Sequence, residues 1–351
     1  MPELWNRYAP TAARAQGPRA RVTGPVVDMH GHVLIRSAAD LVRPHLAADP
    51  RTQFYSEDTR ILTRRQDEER DRHLTNLDQR LTDLDAMGID IQIVSPAPPQ
   101  CGYAVAPDLA VRATQMVNDG VAAFVARRPD RLAPLGTVPL QAGGEAAAME
   151  LERCVRQLGF KGVQILTHVG EKEISDADFA PFWAKAEELG TVVMIHPAGF
   201  TEARRFGRYY FNNVIGNPFD TTMALHYLIF DGVLQRHPNL KLVAVHGGGY
   251  LPAYSGRIDH AWGARSDSHG TLTDPPTTYL KRIYVDAIVF TPHQLDALVG
   301  LFGASHVMLG TDYPYDMGEY DPLAHLASAP TLDPVATNMI AGGNARMVFG
   351  L

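Results

Sequence analysis

Val26-Val27-Asp28-Met29-His30-Gly31-His32 is the stretch on which the reading of the chain turns. Apolar residues lead into two histidines two positions apart. On an extended strand, residues i and i+2 share a face. His30 and His32 therefore aim side by side into whatever that face encloses, and two imidazoles on one rigid strand are half of a metal site. The other half recurs at the ends of later apolar runs, in Met194-Ile195-His196-Pro197, Ala244-Val245-His246-Gly247 and Leu309-Gly310-Thr311-Asp312. A histidine pair alone also occurs on ordinary surface strands. What argues for a site is the repetition of a polar residue at the carboxyl end of separate apolar strands, where barrels carry their catalytic groups.

Eight short apolar runs follow one another: Val26 to His32, Ile89 to Ser95, Ala133 to Pro139, Gly162 to Thr167, Val192 to His196, Leu242 to His246, Ile283 to Ala287 and Val307 to Asp312. Near-continuous Val, Ile and Leu suits strands buried on both faces, as in a parallel sheet. Helical patterns lie between them. Leu77, Leu81 and Leu84 form one stripe that stops at Gly88, a glycine C-cap. Further helices are expected over 106–126, 146–158 and 176–189, and from Asn217-Pro218 to Asp231. Eight strands alternating with helices predict an α/β fold, a (β/α)8 TIM barrel, as one domain over 26–351. Residues 1–25, rich in Ala, Pro and Arg, read as an N-terminal arm. Residues 33–76 form a long insertion after the first strand, with charges crowded over Arg64 to Arg72. They are expected to make a lid that contains a solvated helix. The second long loop covers 197–217.

The composition excludes several classes. Of 351 residues, 45% are hydrophobic and 20% charged, with a formal net charge of -7. That is an ordinary globular balance without a basic stripe, so nucleic acid is not an expected partner. Two cysteines, Cys101 and Cys154, make no disulfide framework and fit a reducing compartment. No run has the length of a membrane span, and residues 1–25 hold no apolar signal core. A cytoplasmic protein is expected.

His30, His32, His196 and Asp312 together offer three imidazoles and a carboxylate, a set suited to one divalent metal, foremost Zn2+ and also iron, cobalt or manganese. Such an ion lowers the pKa of a coordinated water toward neutrality. His246 comes from a sixth strand and is expected to act as acid or base rather than as a ligand. His168, one residue past the fourth strand, is read as packing or hydrogen bonding near the substrate. No lysine ends that strand, so a bridged second ion is not expected.

These motifs, with His246-Gly247-Gly248-Gly249 and Gly310-Thr311-Asp312-Tyr313-Pro314, resemble the amidohydrolase superfamily. Within it they are most similar to the decarboxylase branch typified by the 2-amino-3-carboxymuconate-6-semialdehyde decarboxylases. Leu135-Gly136-Thr137-Val138-Pro139, Leu158-Gly159-Phe160-Lys161-Gly162 and Gly256-Arg257-Ile258 extend the likeness from about residue 26 to Leu351. The resemblance implies zinc on His30, His32, His196 and Asp312, with His246 activating water and Asp312 passing a proton. It also implies a homodimer in which Arg257 reaches the neighbouring subunit's site. It implies protonation of a substrate carbon followed by release of CO2. The family's carboxylate-gripping arginine after the first strand has candidates in Arg60, Arg64 and Arg65, but the Trp-Asp-Pro-like run that follows it in the family is missing. Ala198 stands where the family has tryptophan, whereas Tyr315 keeps its aromatic. The expected function is non-oxidative decarboxylation of a small unsaturated or aromatic carboxylic acid, like aminocarboxymuconate semialdehyde or a hydroxybenzoate. The alternative is a hydrolase or hydratase of the same superfamily acting on a carbonyl, nitrile or lactone. A non-catalytic metal-binding scaffold would have no use for His246.

Overall fold

The computed structural model describes residues 18–201 and 203–351. Eight strands form its centre. β1 is Val27–Val33 and β2 is Ile91–Pro96. β3 is one stave broken at Leu135 into Leu132–Pro134 and Gly136–Thr137. β4 is Gly162–Leu166, β5 Val192–His196, β6 Lys241–Ala244, β7 Tyr284–Asp286 and β8 Val307–Met308. Neighbours pair in parallel, β1 with β2, β2 with the first half of β3, and the second half of β3 with β4. From there the order runs β4-β5-β6-β7-β8. The ends meet: Met29 N donates to Leu309 O (3.0 Å), Asp312 N to His30 O (2.8 Å) and His32 N to Tyr313 O (2.7 Å). The eight staves thus close on themselves, and all eight runs expected from the sequence contribute one.

Alternation along the strands sorts the core into two layers. Val192 and Met194 of β5 join Val27, Met29, Ile93, Leu135, Val243, Val245 and Met308 inside the ring. Val193 and Ile195 face the helices instead. The helix Asn344–Phe349 closes the floor, with Ala345, Val348 and Phe349 packed on the inner layer. His196 continues the inward series of Val192 and Met194, so the period of two alone seats its imidazole above this apolar floor.

The outer helices stand where the apolar stripes placed them, at Leu77–Met87, Pro107–Val125, Gly144–Arg156, Ala180–Leu189 and Asn217–Phe230. Gly88 ends the first at φ 75°, the left-handed C-cap its position suggested. Of the N-terminal arm, residues 1–17 lie outside the described residues. The rest rests on the C-terminal segments: Ala20 N donates to Leu323 O (2.9 Å) and Thr23 N to Asn338 Oδ1 (2.7 Å). The connection after β1 contains helices at Arg36–Val42 and Glu57–Thr75. The second begins on Ser56, whose hydroxyl accepts from Thr59 N. Its charged run is mostly exposed, as expected of a solvated helix. Among the described residues no helix is long and apolar enough to cross a membrane.

Asp28, fully buried, fastens the seam between β1 and the chain after β8. Its Oδ1 accepts from His30 N (3.0 Å) and Thr311 N (2.9 Å). Its Oδ2 accepts from Gln92 Nε2 (2.7 Å) and Thr311 Oγ1 (2.6 Å). Burial pushes its pKa up, and the bonds from Gln92, the Thr311 hydroxyl and His30 N oppose the rise. Replacing Asp28 with Ala strands four donors in a dry interior, each worth about 1–3 kcal/mol when orphaned. Allowing for local relaxation, the urea midpoint should report a loss of at least roughly 3 kcal/mol. A loss below about 1 kcal/mol would mean that the seam is held elsewhere.

Candidate metal centre

Four imidazoles converge on one carboxylate at the carboxyl end of the ring. His30 Nε2 lies 3.4 Å, His32 Nε2 3.1 Å and His196 Nε2 3.8 Å from Oδ1 of Asp312. His246 Nε2 lies 3.4 Å from the other oxygen, Oδ2. The ring centroids of His30, His32 and His196 are 4.9–5.1 Å apart. His30, His32, His196 and Asp312 are all buried, whereas His246 is only half-buried. Ligand atoms of His30, His196, His246 and Asp312 fall within 4.8 Å of one another. Distance alone therefore does not separate His246 from the other imidazoles.

What separates them is the other ring nitrogen. His30 Nδ1 is 2.8 Å from Asp286 Oδ2, a pair that is wholly buried. His196 Nδ1 is 2.6 Å from Pro197 O. His32 Nδ1 is 3.2 Å from Pro96 O and 3.1 Å from Ser95 Oγ. A carbonyl or carboxylate at Nδ1 takes its hydrogen and leaves the Nε2 lone pair facing inward, the arrangement of metal-bound histidines. His196 Nε2 is buried without a hydrogen-bond partner. Left so, it would be a costly orphan; an ion coordinated there satisfies it. His246 is built the other way, for its Nδ1 is the buried atom without a partner and its Nε2 faces Asp312.

The electrostatics agree with a cation site. Burial lowers the pKa of His32 to about 4 and that of His196 to about 3, which keeps both neutral and able to donate a lone pair. Burial works against charge on His30 as well, but Asp312 and Asp286 outweigh it and raise its pKa. Burial likewise opposes ionisation of Asp312, yet His30 and the other imidazoles hold its carboxyl well below the usual range. The donor set therefore fits one divalent ion of the kind that takes nitrogen and oxygen ligands.

Backbone irregularities place these side chains. Asp28 pairs with Gln92 and Gly31 with Val94, so Met29 and His30 together stand opposite Ile93. That bulge re-aims the strand beside the site. The last two polar residues were expected at strand ends, but β6 stops at Ala244 and β8 at Met308. His246 and Asp312 sit beyond, on left-handed backbone at φ 54° and 57°. Gly31 has no room for a side chain: a Cβ there would lie 2.4 Å from Gln92 Cδ. Gln92 cannot yield, since its amide is tied to Asp28 and to the buried guanidinium of Arg80.

The other residues singled out from the sequence are dispersed. Tyr315 packs edge-on against His32, with centroids 5.2 Å apart. His168 is half-buried on a small hairpin, with Nδ1 3.0 Å from Gly170 O, outside the imidazole group. Arg60 and Arg64 are exposed on the helix Glu57–Thr75, and Arg65 is exposed beside Glu69. The arginines of this segment that turn toward the centre are others. The Arg70 guanidinium lies 4.7 Å above the Tyr315 ring, and Arg51 bonds Ala198 O while paired with Asp49. Helical periodicity within a run of charges did not identify Arg70, because packing chooses which face turns inward. Asp28 and Asp286 were also missed, though each shows in the sequence as a carboxylate inside an apolar strand. Arg257 is exposed and makes no ion pair among the described residues.

The amidohydrolase family model matches residues 27–351. The chain is 36% identical over 275 residues to a 2-amino-3-carboxymuconate-6-semialdehyde decarboxylase of Dictyostelium discoideum, covering 78% of this chain and 76% of that protein. The crystal structure of 5-carboxyvanillate decarboxylase from Sphingomonas paucimobilis superposes with a TM-score of 0.83 at 26% identity, over 94% of this chain and all of that one. The 5-carboxyvanillate decarboxylase of Novosphingobium aromaticivorans, solved with manganese and 4-hydroxy-3-methoxy-5-nitrobenzoic acid, shares the fold. Its TM-score is 0.80 at 23% identity, over 96% of this chain and all of that one.

Elemental analysis of the purified protein should find about one divalent ion per subunit, as one such donor set holds one ion. The His196→Ala variant should lose most of it. Two tightly held ions, or full occupancy in the variant, would contradict a single site with His196 as ligand.

Proposed function

We infer that this chain, which belongs to the amidohydrolase family, is a metal-dependent non-oxidative decarboxylase of an aromatic or unsaturated carboxylic acid. The observation that carries this reading is the division of labour at Asp312. Three imidazoles with tethered Nδ1 atoms gather at Oδ1, and one imidazole of opposite build meets Oδ2. In this proposal His30, His32, His196 and Asp312 hold one divalent ion, Zn2+ first among the candidates. When bound, the ion supplies positive charge that positions a substrate oxygen beside the reacting carbon.

The remaining chemistry falls to the chain's own groups. Decarboxylation must place a proton on the carbon that bears the carboxylate. The bond to the carboxylate carbon then breaks, its electron pair returns to the ring or diene, and CO2 leaves. His246 holds the proton at Nε2. Asp312 Oδ2, 3.4 Å away, aligns that imidazole and passes the proton on. Tyr315 walls the substrate, and Arg70 and Arg51 are better placed than Arg60 or Arg64 to balance its negative charge. His168 is assigned to the rim. The segment between β1 and the helix Leu77–Met87 serves as the lid. Ser56 N bonds Gly207 O, and Gln66, Arg70 and Tyr210 all reach Asp316. Ala198, two residues beyond β5, leaves space for a broad substrate.

A homodimer completes the proposal. Arg257 is exposed and makes no ion pair among the described residues, and Tyr254, three positions before it, is 71% exposed. We assign this guanidinium to the substrate of the partner subunit. Two buried unpaired thiols, Cys101 and Cys154, suit the cytoplasm, the location we propose.

Headspace CO2 should appear with at least one member of a panel of carboxylated muconates, salicylates and resorcylates. His246→Ala should cut kcat by roughly 10²–10⁴ while keeping the ion. Turnover of such acids to hydrolysis products without CO2 would overturn the decarboxylase reading; metal loss equal to that of His196→Ala would make His246 a ligand.

Arg257→Ala should raise KM by about 10–150-fold, the worth of a charge-assisted bond to a carboxylate. Lysine should rescue only in part, lacking the planar fork. Mixing Arg257→Ala with His246→Ala should restore up to about one quarter of wild-type activity on random exchange, since half the dimers are mixed and each has one intact site. No recovery, with exchange verified, would place Arg257 in its own subunit's site.

A further inference from the structure

We propose that Gln164 is a positioning residue that sets the tautomer of His32. The inference rests on the reading of His32 as a metal ligand. Gln164 lies on β4, between Val163 and Ile165, which face the helices, so its own side chain enters the ring. It is wholly buried, as are His32 and Ser95. Its amide nitrogen is 3.0 Å from Pro96 O and its amide oxygen 2.8 Å from Ser95 Oγ.

The hydrogen positions follow from one group that cannot change roles. Pro96 O is only an acceptor, so the side of the Gln164 amide that faces it must be the NH2. The amide oxygen then faces Ser95 and takes the hydroxyl hydrogen. Gly31 O, at 3.2 Å, is the more distant competitor for that hydrogen. With its hydrogen committed, Ser95 Oγ can offer His32 only a lone pair, across 3.1 Å. Pro96 O offers only lone pairs too, across 3.2 Å. Both neighbours of His32 Nδ1 are thereby acceptors. These two acceptors at Nδ1 outweigh the single one at the other nitrogen, Asp312 Oδ1 at 3.1 Å from Nε2, so that Nδ1 carries the hydrogen and Nε2 presents a lone pair to the centre. Without Gln164, the Ser95 hydroxyl is free to turn and donate to Nδ1, which moves the ring hydrogen to Nε2, where an ion must bind.

The test is a double-mutant cycle read as the dissociation constant for Zn2+ by chelator competition. Gln164→Met, close in volume and without polar hydrogens, should weaken binding by about 10–100-fold, the usual effect of losing an outer partner of a metal ligand. Adding Ser95→Ala should restore much of the affinity, because the misdirected hydroxyl is then gone and Pro96 O remains to accept from Nδ1. A packing role for Gln164 predicts instead that the two losses add, and that result overturns the proposal. A measurement on the unmutated protein stands apart from any folding defect. With 15N-labelled imidazoles and the ion removed, His32 should show its hydrogen on Nδ1; a hydrogen on Nε2 overturns the proposal. His32→Ala distinguishes the two layers of argument. Should that variant keep full metal occupancy, the ligand reading itself fails, whatever Gln164 does.

Discussion

The closure of the ring between β1 and the chain after β8 is the contact on which everything else depends. His30 O accepts from Asp312 N, and Asp28 ties Thr311 to His30. Residues about 280 positions apart in sequence are thereby held at hydrogen-bond spacing. The seam does two jobs with one set of bonds. It ends the exposed edges that an open sheet would carry, and it brings a carboxylate to three imidazoles that would otherwise face only each other. Stability and site geometry are therefore coupled through buried polar groups rather than through the apolar core. The core below contributes a floor of Met29, Met194, Val243 and Met308 that keeps water from entering beneath the donors.

The polar groups around the centre form a graded series. Asp286 stands behind His30 and at the same time accepts from Gly247 N (2.9 Å), the residue after His246. One carboxylate thus orients a proposed ligand and fixes the turn that carries the proposed acid-base group. Arg80 plays a similar part on the far side, bonding His32 O and Gln92 while its guanidinium lies 4.7 Å from the centre of the Tyr313 ring. Its burial lowers its pKa, and it is retained in a dry interior because it satisfies several acceptors at once.

Much of this architecture was legible in the residues alone, and the reason is physical. Strands buried on both faces must be apolar almost throughout, so eight such runs stand out against amphipathic helices. A histidine or aspartate at the end of such a run conflicts with burial unless it has a function. His30, His32, His196, His246 and Asp312 were therefore visible. Features set by the third dimension were not. The bulge at Met29 and His30 leaves no mark in the hydrophobic pattern. Left-handed backbone at His246 and Asp312 is not signalled by glycine or asparagine. Arg70 hides among charges that are mostly solvated, because only contact with Tyr315 and Asp316 distinguishes it from Arg64. Gln164 reads as one polar residue in an apolar strand until its amide partners, Ser95, Pro96 and Cys101, are seen.

The glycine between the two histidines of β1 has a consequence for anyone wishing to move this centre to another scaffold. Gly31 owes its lack of a side chain to Gln92, not to any demand of the imidazoles. Gln92 in turn is pinned by Asp28 and Arg80, and Arg80 by the carbonyl of His32. The short motif is the visible tip of a locked five-residue assembly. A graft of His30-Gly31-His32 alone would carry the donors but none of the scaffolding that keeps them in register. The transplantable unit includes the second strand and the arginine behind it.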